Sequence, residues 1–408
     1  MTTRQEFAAH WQALCGATTG MALGLALNHY VMSLFGQALI AEFGWSKAQY
    51  ALIGATPFFT LILIPVMGRL IDRAGPRAAA AIGFVSLPLG YLALSTMTGS
   101  FALFFAIIVV KSVLGTLTTT MVFARVIVER FDRARGLALS IVMSAPSLVG
   151  MVATPIVASI IEEAGWRVAF QALALVTAAG GLLCWWLLGR DRRSRSPAGV
   201  PPLSLRAAAG FVRSPVLLLA IGGMYMVNLP QVLAASQLTL VLADSGASTA
   251  LATLCVALYA GGVAVGRLLS GLALDRFAVH KVALCTLGLP AIGLAAIATP
   301  FDAPWVLIGS VLLLALAQGA EGDIGAYLIS RRFGIANYSL LMSLMTVALT
   351  IGAASGSLIL STTLGATGSY APFLNICAVA TLAGAGLFFA IGTLKAPMQA
   401  RPDGGGAV

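Results

Sequence analysis

From about residue 13 to about residue 394 the chain is a succession of apolar stretches separated by short polar breaks. Each stretch is long enough to cross a ~30 Å hydrocarbon core at about 1.5 Å per residue. Twelve spans are predicted, over 13–41, 50–71, 79–99, 101–124, 136–162, 168–189, 214–243, 249–275, 281–299, 304–329, 337–363 and 372–394. Leu61 to Met67 and Val311 to Ala317 are apolar on every face, which excludes the alternation of a barrel strand and leaves helices. The expected fold is therefore an all-α membrane protein of 12 transmembrane helices.

A pattern that occurs twice organises these spans. Gly68-Arg69-Leu70-Ile71-Asp72-Arg73 closes one span, and Gly271-Leu272-Ala273-Leu274-Asp275-Arg276 closes another 203 residues later. Glu129-Arg130-Phe131 is echoed by Arg331-Arg332-Phe333 at an offset of 202. Two coincidences at one spacing imply two similar halves, each a six-helix bundle. The long polar interruption divides them. The reading is a cytoplasmic N-terminus (1–12), an N-terminal bundle (13–189), a cytoplasmic linker (190–213), a C-terminal bundle (214–394) and a disordered cytoplasmic tail (395–408). Ser46-Lys47-Ala48-Gln49 has capping-box spacing at the start of span 2.

Composition agrees. Only 9% of residues are charged, against roughly a quarter in soluble domains, and 59% are hydrophobic. The net charge of +10 is explained by placement, because twenty of the twenty-four Lys and Arg fall on one side when both termini are cytoplasmic. Arg190, Arg192, Arg193 and Arg195 thus read as topogenic and solvated, and no nucleic-acid partner is expected. The five cysteines lie inside spans without CxxC spacing, which argues against disulfides and a metal. The first span is too long for a signal-peptide core and is expected to remain as a helix.

Gly68, Asp72, Arg73, Gly75 and Arg77 match the loop between the second and third helices of the major facilitator superfamily, with a half-copy at Gly271, Asp275 and Arg276 between the eighth and ninth. The whole chain resembles that superfamily. Glu42-Phe43-Gly44-Trp45-Ser46, Gly165-Trp166-Arg167, Gly319-Ala320-Glu321-Gly322-Asp323 and Tyr327-Leu328 are similar to its bacterial monocarboxylate-transporter and oxalate/formate-antiporter branches. The resemblance implies two bundles rocking about a central cavity lined mainly by spans 1, 4, 7 and 10. It also implies a conformational latch at the loop residues, joined by Arg135, with no substrate contact there.

Ionisable groups at bilayer depth cost at least ~2.5 kcal/mol and usually face a cavity or a partner. Five qualify: His29, Lys111, Arg267, Glu321 and Asp323. The run Val265-Gly266-Arg267 resembles the carboxylate-binding arginine segment of monocarboxylate transporters, and a permanently charged planar fork suits that role. Where animal-type relatives have an aspartate four residues earlier, this chain has Val263; the helix-11 lysine of the oxalate branch is missing too. A second fixed cation for a dicarboxylate can come only from Lys111. Tyr30, Asn28, Asn228, Gln231, Gln318 and Tyr327 are the candidate polar contacts. Glu321 and Asp323, about 200° apart on a helix, need different jobs. The expected coupling is that substrate takes Arg267 from one of them and the released acid binds a proton. Glu321 is preferred for that role, with His29 as an alternative carrier.

The expected function is a secondary transporter of small organic anions in the bacterial inner membrane, driven by a proton gradient, without cofactor or metal, and monomeric in the lipid bilayer. An organic-anion antiporter and a multidrug or metabolite exporter are the competing readings. No nucleotide loop, metal cluster or nucleophile elbow supports an enzyme.

Overall fold

The computed structural model describes residues 3–189, 214–300, 303–333 and 338–394. The expected linker 190–213 and tail 395–408 lie outside the described residues, as does the side chain of Asp72. Every regular element among the described residues is helical. Ten helices are long and apolar enough to cross a membrane, and the bent pair Thr3–Leu23 and Leu25–Phe43 forms another crossing. The shorter helices Pro215–Val227 and Leu233–Asp244 together occupy the place of span 7.

Several spans that the apolar pattern draws as continuous are broken, spans 1, 4 and 7 among them. The helix of span 1 starts at Thr3, ahead of the apolar stretch and inside the expected polar N-terminus, and bends by 41° at Gly24. Span 4 is interrupted by a tight turn at Thr116–Thr118 before resuming as Thr120–Arg130. Span 7 unwinds around Asn228 and Pro230 and passes through a π-helical turn, Leu233–Gln237. Hydropathy does not register such breaks because they expose main chain to a polar cavity rather than to lipid.

Local chemistry sets the ends. Ser46 Oγ accepts from the Gln49 N–H while Gln49 Oε1 accepts from the Ser46 N–H, both at 3.0 Å, forming the expected capping box. Gly75 turns the chain between spans 2 and 3 at φ +82°, a conformation that favours glycine.

The two bundles meet through spans 2 and 11, 5 and 8, and 1 and 7. On the external side they are clasped. Lys47 pairs with Asp244, Thr239 donates to the Ser33 carbonyl, and Ser357 donates to the Ala51 carbonyl at 2.5 Å. On the cytoplasmic side Gly68 and Gly271, the repeated glycines, have nothing within 4 Å of where a Cβ would stand. The three clasping contacts hold the bundles together at the end that carries Lys47 and Asp244.

Among the described side chains, no hydrogen bond or ion pair joins a motif residue to the opposite bundle. Arg77 donates to the Trp185 carbonyl at 3.2 Å and stacks on that indole at 3.9 Å, inside the N-terminal half. Arg135 donates to the Phe131 carbonyl at 2.9 Å and sits 3.7 Å from Asp132.

Candidate functional site

A central cavity of about 320 Å³ is walled by spans 1, 2, 4, 7 and 11. The breaks in spans 1, 4 and 7 converge on it. At Gly24 the first helix loses its regular bonding, and the Leu25 N–H is taken instead by Thr118 Oγ1 at 2.9 Å. A Cβ on Gly24 would stand 2.5 Å from the Thr118 carbonyl, so only glycine lets the two broken helices come this close. The polar lining holds no Lys, Arg, Asp or Glu, and includes His29, Asn28, Thr56, Thr60, Thr116, Thr119 and Gln231.

Lys111 is not on that wall. Its side chain is 1% exposed, its ammonium donates to Asn28 Oδ1 at 2.8 Å, and it lies over the Tyr91 ring at 4.0 Å. The expected second anion contact thus reaches the cavity only through Asn28. The reason is local packing. Gly90 gives the lysine stem room on span 3, with a built Cβ only 2.8 Å from Lys111 Cγ.

His29 packs edge-on to Tyr30, with ring centroids 5.3 Å apart, and both face Tyr259 of span 8 at 6.3 and 6.5 Å. This aromatic layer joins the two bundles near the middle of the membrane. Behind it, the Tyr259 hydroxyl lies 3.5 Å from Gln318 Oε1, and Gln318 Nε2 donates to Glu321 Oε1 at 2.7 Å. Asn228, 1% exposed, lies beside the same carboxylate. Gln231 borders both this interior cluster and the central cavity.

Arg267 pairs with Asp323, not with the preferred Glu321. Its Nε is 3.8 Å from Asp323 Oδ2, and Nη1 donates to the main-chain carbonyl of Met143, on span 5 of the opposite bundle, at 2.9 Å. The choice between the two acids follows from the helix contact. A Cβ on Gly319 would stand 2.1 Å from the Val263 carbonyl and 2.7 Å from the Arg267 nitrogen, so the Gly319 face of span 10 lies against span 8 at the arginine. Asp323, four residues on, shares that face; Glu321, about 200° from both on average, is turned into its own bundle.

The Arg267 pairing is incomplete. Nε is buried and lacks a hydrogen-bond partner, since 3.8 Å is an ion-pair distance and not a hydrogen bond. Asp323 also borders a second cavity of about 400 Å³ with Gly271, Asp275, Tyr327, Ser330 and Tyr338, on the cytoplasmic side. Tyr327 therefore lies with Asp323 near the entrance, its ring 5.3 Å from Arg331, and away from the central polar layer. Arg276 closes the helix that carries Arg267 and Gly271.

Four contributors are not singled out by the sequence pattern. Tyr259 had a signal, being eight residues before Arg267 on the same helix. Tyr91 and Gly90 form one binding surface for a lysine on another helix, a relation no spacing reveals. Met143 acts through its carbonyl, which side-chain identity does not report.

Residues 13–242 match the family model described as Major Facilitator Superfamily. The chloramphenicol resistance protein of Streptomyces lividans is 29% identical over 315 residues, 74% of this chain and 76% of its own. Two crystal structures of the nucleoside transporter NupG, one of a point mutant, align with TM-scores of 0.74 and 0.73 at 13% and 12% identity. They cover 97% and 94% of this chain, and 100% and 99% of their own, and at that identity share its fold.

Proposed function

This chain belongs to the Major Facilitator Superfamily and is a multi-pass membrane transporter rather than an enzyme; from that premise we propose that it carries small carboxylate-bearing organic anions together with a proton across the bacterial inner membrane. One observation carries the reading: a permanently charged guanidinium held between the bundles, with Nε buried and without a hydrogen-bond partner. An unsatisfied buried donor is costly, and a carboxylate is the acceptor whose geometry fits the fork.

Coupling follows from the Arg267–Asp323 contact. An arriving carboxylate competes for Arg267 with Asp323 and with the Met143 carbonyl. Once displaced, Asp323 is an unpaired carboxylate at bilayer depth, where a charge without a partner is expensive. It borders the cytoplasmic cavity, from which a proton reaches it. The neutralised pair and the loosened Met143 contact then let the bundles rock.

A second reading is supported by the Streptomyces lividans relative and by the neutral amide and hydroxyl lining of the central cavity. In it the cargo is an uncharged, drug-sized molecule and the direction is outward.

Proteoliposome uptake of a panel of mono- and dicarboxylates under an imposed pH gradient separates the two. The carboxylate reading expects uptake by the parent and its loss in Arg267→Gln. Uptake unaffected by that change, with raised chloramphenicol tolerance in cells expressing the chain, supports the exporter.

A further inference from the structure

Asn28 occupies an unusual electrostatic position. Asn28 lines the central cavity, while its carbonyl oxygen is held by two donors that do not line it, the Lys111 side-chain nitrogen at 2.8 Å and the Tyr91 hydroxyl at 3.4 Å. The two ends of an amide are hard to tell apart by shape, but here chemistry decides. An ammonium carries only donors, so the end facing Lys111 is the oxygen. The NH2 end must then point the other way. Among the described residues it makes no hydrogen bond, and it is not among the sealed, unsatisfied polar atoms.

We infer that Asn28 is a substrate contact that only donates, and that Lys111 and Tyr91 are positioning residues that hold it in that orientation. The cavity at this point therefore accepts an oxygen that is an acceptor, such as a carboxylate or carbonyl oxygen, and disfavours a group that needs to donate. Lys111 also polarises the amide: an N–H donor on the oxygen side strengthens the donor side, as in any chain of hydrogen bonds in a low-dielectric interior. The arrangement brings the influence of the buried lysine to the cavity while keeping its amino group sealed at 1% exposure under Gly90 and Tyr91. It differs from a direct anion contact, because the lysine never touches the cargo.

The inference rests on the carboxylate reading above, and its test is chosen to fail separately. Carboxylate uptake is measured in proteoliposomes for the parent, Asn28→Asp, Lys111→Met and Arg267→Gln, with thermal unfolding of each in detergent. Asn28→Asp exchanges the amide for a carboxylate that pairs with Lys111, so its fold is preserved or stabilised while the cavity-facing donor becomes an acceptor. Its KM should rise at least ~10-fold, the scale of a hydrogen bond to a charged group. Lys111→Met releases the amide to rotate, and KM should rise by a smaller factor while the maximal rate changes less than KM. A parent-like KM in a folded Asn28→Asp overturns the inference. Loss of uptake in Arg267→Gln with a parent-like Asn28→Asp leaves the anion site standing and removes the Asn28 role; the reverse pattern removes the arginine role and keeps the donor. If Lys111→Met fails to fold, Asn28→Asp still decides the matter.

Discussion

Arg267 of the C-terminal bundle donates from Nη1 to the main-chain carbonyl of Met143 in the N-terminal bundle, 2.9 Å away. One residue thereby links the two bundles and holds an acid, Asp323, within 3.8 Å. A carbonyl and a distant carboxylate are weak competitors for a guanidinium compared with a bidentate anion. On the proposed reading, a carboxylate cargo displaces this clasp.

Arg267→Lys keeps the charge and loses the fork. We expect it to remain folded and to bind carboxylates at least ~10-fold more weakly, because an ammonium on a flexible stem reproduces the charge but not two parallel hydrogen bonds. The KM of proteoliposome uptake measures this.

Asp323→Asn should retain substrate exchange and lose acceleration by a pH gradient, since the displaced group no longer takes up a proton. Glu321→Gln should keep that acceleration, because it leaves the Arg267–Asp323 contact untouched. Counterflow compared with gradient-driven uptake reads both; the opposite result assigns coupling to Glu321.

Gly319→Ala should impair transport more than its size suggests. The added methyl would stand 2.1 Å from the Val263 carbonyl, a main-chain atom that cannot rotate aside, so spans 8 and 10 must separate. Overpacking of this kind typically costs about 1–3 kcal/mol, and it shifts Arg267 relative to Asp323. A lowered unfolding temperature together with a raised KM is expected.

Glu6, at the cytoplasmic start of the first helix and outside the membrane, is 7% exposed and caps the loop before span 5. Its carboxylate accepts from the Asp132 N–H at 2.5 Å and the Ala134 N–H at 2.8 Å. The Asp132 main-chain bond first, then that of Ala134, holds its carboxyl below the ordinary 4.5. A carboxyl depressed by folding stabilises the protein above its unfolded value, and that contribution is lost as pH falls through the folded one. Thermal unfolding of the parent in detergent should therefore weaken below about pH 4.5 in part through this group. Glu6→Gln should unfold earlier at neutral pH and show a flatter acid dependence.

The pattern along the chain determined the class of molecule. Apolar runs of spanning length, a repeat at an offset of 203 and basic residues on one side imply two helical bundles and their orientation, because lipid accepts only helices with satisfied main chains and few charges. The breaks in that repeat also located the membrane charges: Lys111, Arg267 and Glu321 align with Leu313, Ile64 and Thr119 of the other half. What each charge meets was decided by tertiary structure. Whether Arg267 reaches Glu321 or Asp323 depends on which face of span 10 the Gly319 contact turns toward span 8. Whether Lys111 lines the cavity or stands behind Asn28 depends on the room that Gly90 leaves on a third helix. Partners of a buried charge are chosen by packing between helices distant in sequence, and hydropathy read along one chain carries no record of that choice.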